Sequence, residues 1–153
     1  MAGDATIQAA IQSLVQATSR YNDGDVTLGD FRVLGRGRQA AVILPGPLAA
    51  QRAGDWSQLR YAWTHYVEVW RRFDGDDYAD IVADRQVVMD QLNAYPTLNG
   101  TAGITDCTVS QSSDPIYVRP RNAPPDTKPS HVGFRLTVRT VEEVLYAGAG
   151  EFA

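Results

Sequence analysis

His65 and His131 are the only two histidines in this chain of 153 residues, and imidazole is the side chain best suited to moving protons near neutral pH. Ser130 precedes His131, so a Ser/His/Asp arrangement built on Ser130 is one chemistry the sequence allows. No G-x-S-x-G elbow or comparable signature surrounds that serine. His65 lies between Trp63 and Val67 in an apolar row, where a hydrogen-bonded core histidine is expected. Two histidines with no third ligand at a convincing spacing do not make a metal site. Cys107 is the single cysteine, which excludes an internal disulfide framework and any Cys-based zinc site. It falls inside a strand-like stretch and reads as a small buried hydrophobe.

Three further patterns resemble binding motifs. Gly35-Arg36-Gly37-Arg38-Gln39-Ala40 matches G-x-G-x-x-A, with Asp55 about twenty residues on. A dinucleotide site needs that loop to open a helix, whose N-terminal amides receive the pyrophosphate. Here Ala41-Val42-Ile43-Leu44-Pro45 reads as a strand, so the loop is expected to be a hairpin turn. The acidic run Asp74-Gly75-Asp76-Asp77-Tyr78-Ala79-Asp80 lacks the sixth-position Gly and twelfth-position Glu of a calcium loop. Carboxylates favouring the positive end of a helix explain it. Asn99-Gly100-Thr101 is a glycosylation sequon in a chain whose opening residues lack the basic and apolar regions of a signal peptide. No cofactor is implied by any of these residues, and no set of them points to an enzyme.

Composition narrows the class. The apolar share of 44% and charged share of 21% are ordinary for a globular protein, and one domain is the default at this length. No apolar run approaches ~18 residues, so no membrane span is expected. A formal charge of −4 and a pI near 5.0 argue against a dedicated nucleic-acid binder. Lys128 is the only lysine among fourteen basic residues. Arginine makes planar bidentate contacts suited to interfaces, although a GC-rich genome produces the same excess.

The elements that must position these residues follow from periodicity. Ile7, Ala10, Ile11, Leu14, Val15 and Thr18 recur at helical spacing, with Asp4 placed as an N-cap. Strands are expected at Phe31–Leu34 and Gln39–Leu44, the second stopped by Pro45-Gly46-Pro47, with a connector from Ala49 to Trp56. Leu59 to Phe73 alternates with a period of two, one long strand of roughly 50 Å. A domain of this length is about 38 Å across, so the strand either bends or leaves its own domain. A second helix spans about Asp76 to Ala94, with Tyr78, Ile81, Val82, Val88, Met89, Leu92 and Tyr95 on one stripe broken by Arg85. Strands follow at Ile104–Ser110, Ile116–Arg119 and Val132–Val144. The proline-rich stretch 115–129 is expected to form an extended arm. The whole is an α+β domain over 1–153, with a mainly antiparallel sheet of long strands and two amphipathic helices packed on one face. On the other face Tyr66, Trp70 and Arg72 are of the kind that interfaces favour.

The helix Ile7–Thr18, the strand Leu59–Phe73, the helix Tyr78–Tyr95 and the closing run His131-Val132-Gly133-Phe134-Arg135-Leu136-Thr137-Val138 together resemble the tail-terminator (tail-completion) proteins of long-tailed bacteriophages. The resemblance spans residues 4–146 and lies in element order and patterning; neighbouring neck proteins share a similar architecture. It implies a virion protein without catalytic residues, assembled in the host cytoplasm. It would form a homohexameric ring that caps the major tail tube protein and meets the head-side connector, with DNA passing through and no sequence-specific binding. The interface residues expected on this basis are Arg36, Arg38, Tyr66, Trp70, Arg72, Arg119, Arg121, Pro124 and Pro125. An adaptor or stopper of the neck is the near alternative. A small ligand-binding or hydrolytic domain centred on His65 or His131 is the distant one.

Overall fold

The computed structural model describes residues 3–29, 39–52, 58–73, 78–119 and 122–145. In chain order these form helix α1 (Asp4–Ala17), a 3-10 turn (Asp23–Asp25) and strands β1 (Val26–Leu28), β2 (Gln39–Arg52) and β3 (Gln58–Arg72). Helix α2 (Tyr78–Ala94) and strands β4 (Ile104–Ser112), β5 (Ile116–Val118) and β6 (His131–Leu145) follow. One six-stranded sheet runs in the order β1-β2-β3-β6-β4, with β5 paired to β6 beyond β4. Every pairing is antiparallel except the short parallel contact of β1 with β2. This is the α+β class the periodicity predicts. The expected strand Phe31–Leu34 and the loop 35–38 lie outside the described residues.

The alternation within β3 decides where the core sits. Val67 and Val69 are fully buried, and they stand opposite Leu136 and Phe134 of β6 and Ile43 and Ala41 of β2. Ile7, Ile11, Leu14 and Val15 of α1 and Ile81, Val88 and Leu92 of α2 close over this row as one cluster. Arg85, which breaks the apolar stripe of α2, lays its guanidinium over the Phe134 ring at 4.3 Å, a cation–π contact that suits an apolar surface. The glutamines of α1 tie it to the sheet edge: Gln12 donates to the Val26 carbonyl at 2.8 Å and Gln16 to that of Asp23 at 3.1 Å.

Three local expectations change. Asp4 is the first residue of α1 and Gly3 occupies the cap position; the Asp4 carboxylate instead reaches His65, with Oδ1 2.6 Å from Nε2. Pro45-Gly46-Pro47 does not stop β2. The strand continues to Arg52 through a register shift between Pro45 and Leu48, and Leu48–Arg52 pairs with Leu59–Trp63. Pro45 is tolerated because Ile43, two residues earlier, turns its carbonyl outward to the Gly29 N–H, which puts the missing N–H of Pro45 on the outer side as well. Gly46 is required at the shift, since a Cβ there would lie 2.7 Å from the Thr64 carbonyl oxygen. The expected arm changes at its start, where Ile116–Val118 is a strand paired with His131–Gly133.

The length of β3 is absorbed within the sheet. All fifteen of its residues pair with β6, from Gln58↔Leu145 to Arg72↔His131. Among the described residues no helix is long and apolar enough to cross a membrane.

Candidate interaction surface

The face of the sheet opposite the helices carries Arg60, Ala62, Thr64, Tyr66, Glu68, Trp70 and Arg72 of β3. Beside them stand Glu143, Val141, Arg139, Thr137, Arg135, Gly133 and His131 of β6. Its electrostatics are largely paired. Arg135 Nη2 sits 2.8 Å from the Glu68 carboxylate, and its guanidinium lies 4.9 Å from the Tyr66 ring centroid. Arg60 bonds Glu143 at 2.9 Å. Glu142 is fully buried and accepts from the Trp63 indole at 3.2 Å.

The expected interface residues separate on inspection. Tyr66 is half-buried beneath Arg135, and Arg72, Arg119, Pro124 and Pro125 are exposed. Trp70 is only 4% exposed. It packs flat against Gly133 directly opposite, where a Cβ would lie 2.5 Å from its Cε3. Glycine makes the room that takes the indole inside the chain, so Trp70 is a folding residue in the single subunit and offers no surface. Arg36, Arg38 and Arg121 lie outside the described residues.

Among the described residues neither histidine assembles a catalytic set. His65 is fully buried, with Nε2 on Asp4 and Nδ1 facing no hydrogen-bond partner among the described residues. His131 Nδ1 stands 3.0 Å from Ser130 Oγ, but that hydroxyl is also 3.1 Å from the Val118 carbonyl. A hydroxyl has one proton, and the carbonyl can only accept. The Ser130 proton therefore goes to Val118 and the imidazole N–H donates to Oγ, which is the wrong direction for activating a nucleophile. Phe73 N–H donates to the Ser130 carbonyl at 2.9 Å and Ser130 N–H to Val118 at 2.7 Å. The pair clasps the base of the β5–β6 hairpin. A cavity of about 360 Å³ at the far end of the sheet is lined by Gln58, Leu59, Gly103, Ile104, Thr105, Glu143 and Val144. It contains no histidine, and its carboxylate, Glu143, is paired with Arg60.

Buried polar chemistry concentrates elsewhere. Asp84 on α2 is fully buried and binds Arg20 and Arg71. Burial alone would lower the Arg71 pKa, but the Asp84 hydrogen bond and charge more than offset it and hold the guanidinium above its ordinary range. Gln39 joins this network, accepting from Arg71 at 2.6 Å and donating to the Arg20 carbonyl. Tyr21 lies in the same region, and burial, with the Asp84 charge adding, pushes its phenol well above the usual range. The sequence gives no sign of this group, because Asp84 sits at a helix position that its neighbours make look ordinary. Its role is to join the segment that follows α1 to β2, β3 and α2 at the end of the sheet where β3 finishes.

Comparison with known proteins places the fold. No family model matches the sequence, and no curated protein does. Among solved structures, a chain of the virion of a native gene transfer agent particle aligns with a TM-score of 0.54 at 15% identity, over 90% of this chain and 94% of that one. At that identity the likeness is one of fold. A sheath/tube terminator of the PVC extracellular contractile injection system, in its extended state, aligns with a TM-score of 0.45 at 13% identity, over 91% of this chain and 56% of that one.

Proposed function

We propose that this chain is a structural virion component of the tail-terminator kind. It assembles into a ring on the end of a tail tube, stops the tube's growth and presents a joining surface to the head-side connector. The observation that carries the reading is the fold shared with the gene transfer agent virion chain along nearly the full length of both. The internal geometry supports it, because each histidine and Asp84 is engaged in holding the fold. On this reading the protein is not an enzyme, its partners are copies of itself and the tube and connector proteins, and it resides in the virion.

Negative-stain imaging of the purified protein, alone and with tail tubes, tests the proposal. Rings of one symmetry, seated at one tube end, are expected. A protein that stays monomeric and leaves tube ends bare would overturn it. An adaptor or stopper would also form rings but would seat on the head-side connector and ignore isolated tubes.

A further inference from the structure

Among the described residues, each outer edge of the sheet has a stretch with no strand beside it, and the two stretches stand at the same height. On one edge, β1 covers β2 only over Ala41–Ile43, Pro45 and Pro47 have no N–H to offer, and Leu48–Arg52 is exposed. On the other edge, the Val109 N–H is taken by the Asn93 side chain at 2.8 Å, whereas Thr105, Asp106 and Thr108 are exposed. Reading straight across the ladder, Leu48, Ala49 and Ala50 pair with Trp63, Ala62 and Tyr61. Those pair with Thr140, Val141 and Glu142, which pair with Cys107, Asp106 and Ile104. The open stretch of β2 thus stands level with the open stretch of β4. Among the described residues no strand occupies the outer side of either.

Direction matches as well. β2 is antiparallel to β3, β3 to β6, and β6 to β4, so β4 runs opposite to β2. A second copy, rotated about an axis parallel to the strands, brings its β4 beside β2 in the same antiparallel sense that prevails inside the sheet. Exposed strand edges are templates for another strand, and a head-to-tail contact of this kind closes into a ring when the rotation permits.

Resting on the ring reading above, we infer that the outer edge of β2 at Leu48–Arg52 pairs antiparallel with the outer edge of β4 at Ile104–Thr108 of the next copy, making the sheet continuous between subunits. Ala49 and Asp106 then lie on the same face of the shared sheet, because both align with Ala62 and Val141. Neighbouring positions on one sheet face stay within ~8 Å even with an offset of two residues, the reach of a short bismaleimide.

The test uses Ala49→Cys and Asp106→Cys, both at exposed sites, with native Cys107 left in place because it is buried. Under mild cross-linking the double variant should give a ladder of covalent multimers. An equal mixture of the two single variants should give one dimer band, and each single variant alone should give none. Rings seen by imaging without these cross-links would overturn the edge pairing and leave the ring standing. Cross-linking of Ala49→Cys to itself would overturn it in favour of a two-fold contact. Absence of both rings and cross-links, with tail tubes present, would overturn both readings.

Discussion

Asp84 and Arg71 form a two-point ion pair between α2 and β3, with Nε 3.0 Å from Oδ2 and Nη2 3.1 Å from Oδ1. Arg20 shares the same carboxylate, its Nη2 2.5 Å from Oδ1. Asp84→Ala would leave two guanidinium groups facing one another in a partly dry site. Removing one partner of a buried pair costs about 3–5 kcal/mol, and the partial exposure of both arginines sets the expectation near about 3. Urea denaturation reads this directly. A loss as small as that of a surface substitution would show the network to be incidental.

Gly133 and Trp70 should behave as one unit. Trp70→Ala is expected to cost about 3–5 kcal/mol of folding stability, because the indole is buried within the subunit. Gly133→Ala overpacks the same spot, at about 1–3 kcal/mol. The added methyl meets the Val69 carbonyl oxygen at 2.6 Å as well as the indole. Placing Gly133→Ala in a Trp70→Leu background should therefore recover only part of the penalty. Additive losses in that double-mutant cycle would contradict the contact.

The start of α1 depends on a side chain in the middle of the sheet. Asp4→Ala leaves the buried Nε2–H of His65 without its acceptor, at an expected cost of about 1–3 kcal/mol. Asp4→Asn keeps an acceptor and should lose less. Hydrogen exchange of the amides in the first turn of α1 should quicken in the alanine variant. Unchanged exchange would mean that helix and strand are not coupled there.

Alkaline pH should destabilise the protein in two stages. Burial pushes the Cys107 thiol up from 9.0 to about 11. Below the lower value both states hold the proton and the stability is intact. Between the two values, 9.0 and about 11, the unfolded chain sheds it first, so stability falls by about 1.4 kcal/mol per pH unit. Tyr21 adds to the fall above its ordinary value of 10.0 for the same reason. Between pH 9.0 and 10.0 the denaturation midpoints of Cys107→Ala should decline less than those of the parent.

Regular alternation made β3 and β6 legible from residue types, because a sheet buried on one side imposes a period of two. Ile7, Ile11, Leu14 and Val15 fixed the buried side of α1 in the same way. What escaped the sequence depends on cross-chain neighbours. Trp70 looked like a surface aromatic because the glycine that admits it lies on another strand. Asp4 looked like a helix cap because local spacing cannot reveal His65 across the layer. Pro45 and Pro47 looked like a stop because an outer strand edge, where a missing N–H does no harm, is not visible in one dimension. The interface expectations fare unevenly for a related reason: Arg72, Arg119, Pro124 and Pro125 are accessible, whereas Trp70 is not.

The register shift at Pro45-Gly46-Pro47 has a consequence for how the sequence can change over time. It divides β2 into an inner half, Ala40–Ile43, locked into the core, and an outer half, Leu48–Arg52, that touches little of it. Side chains in the outer half reach solvent and not the core, so substitutions there weigh less on folding than those in the inner half. Selection can therefore tune that segment for a new binding partner while the rest of the molecule is held constant.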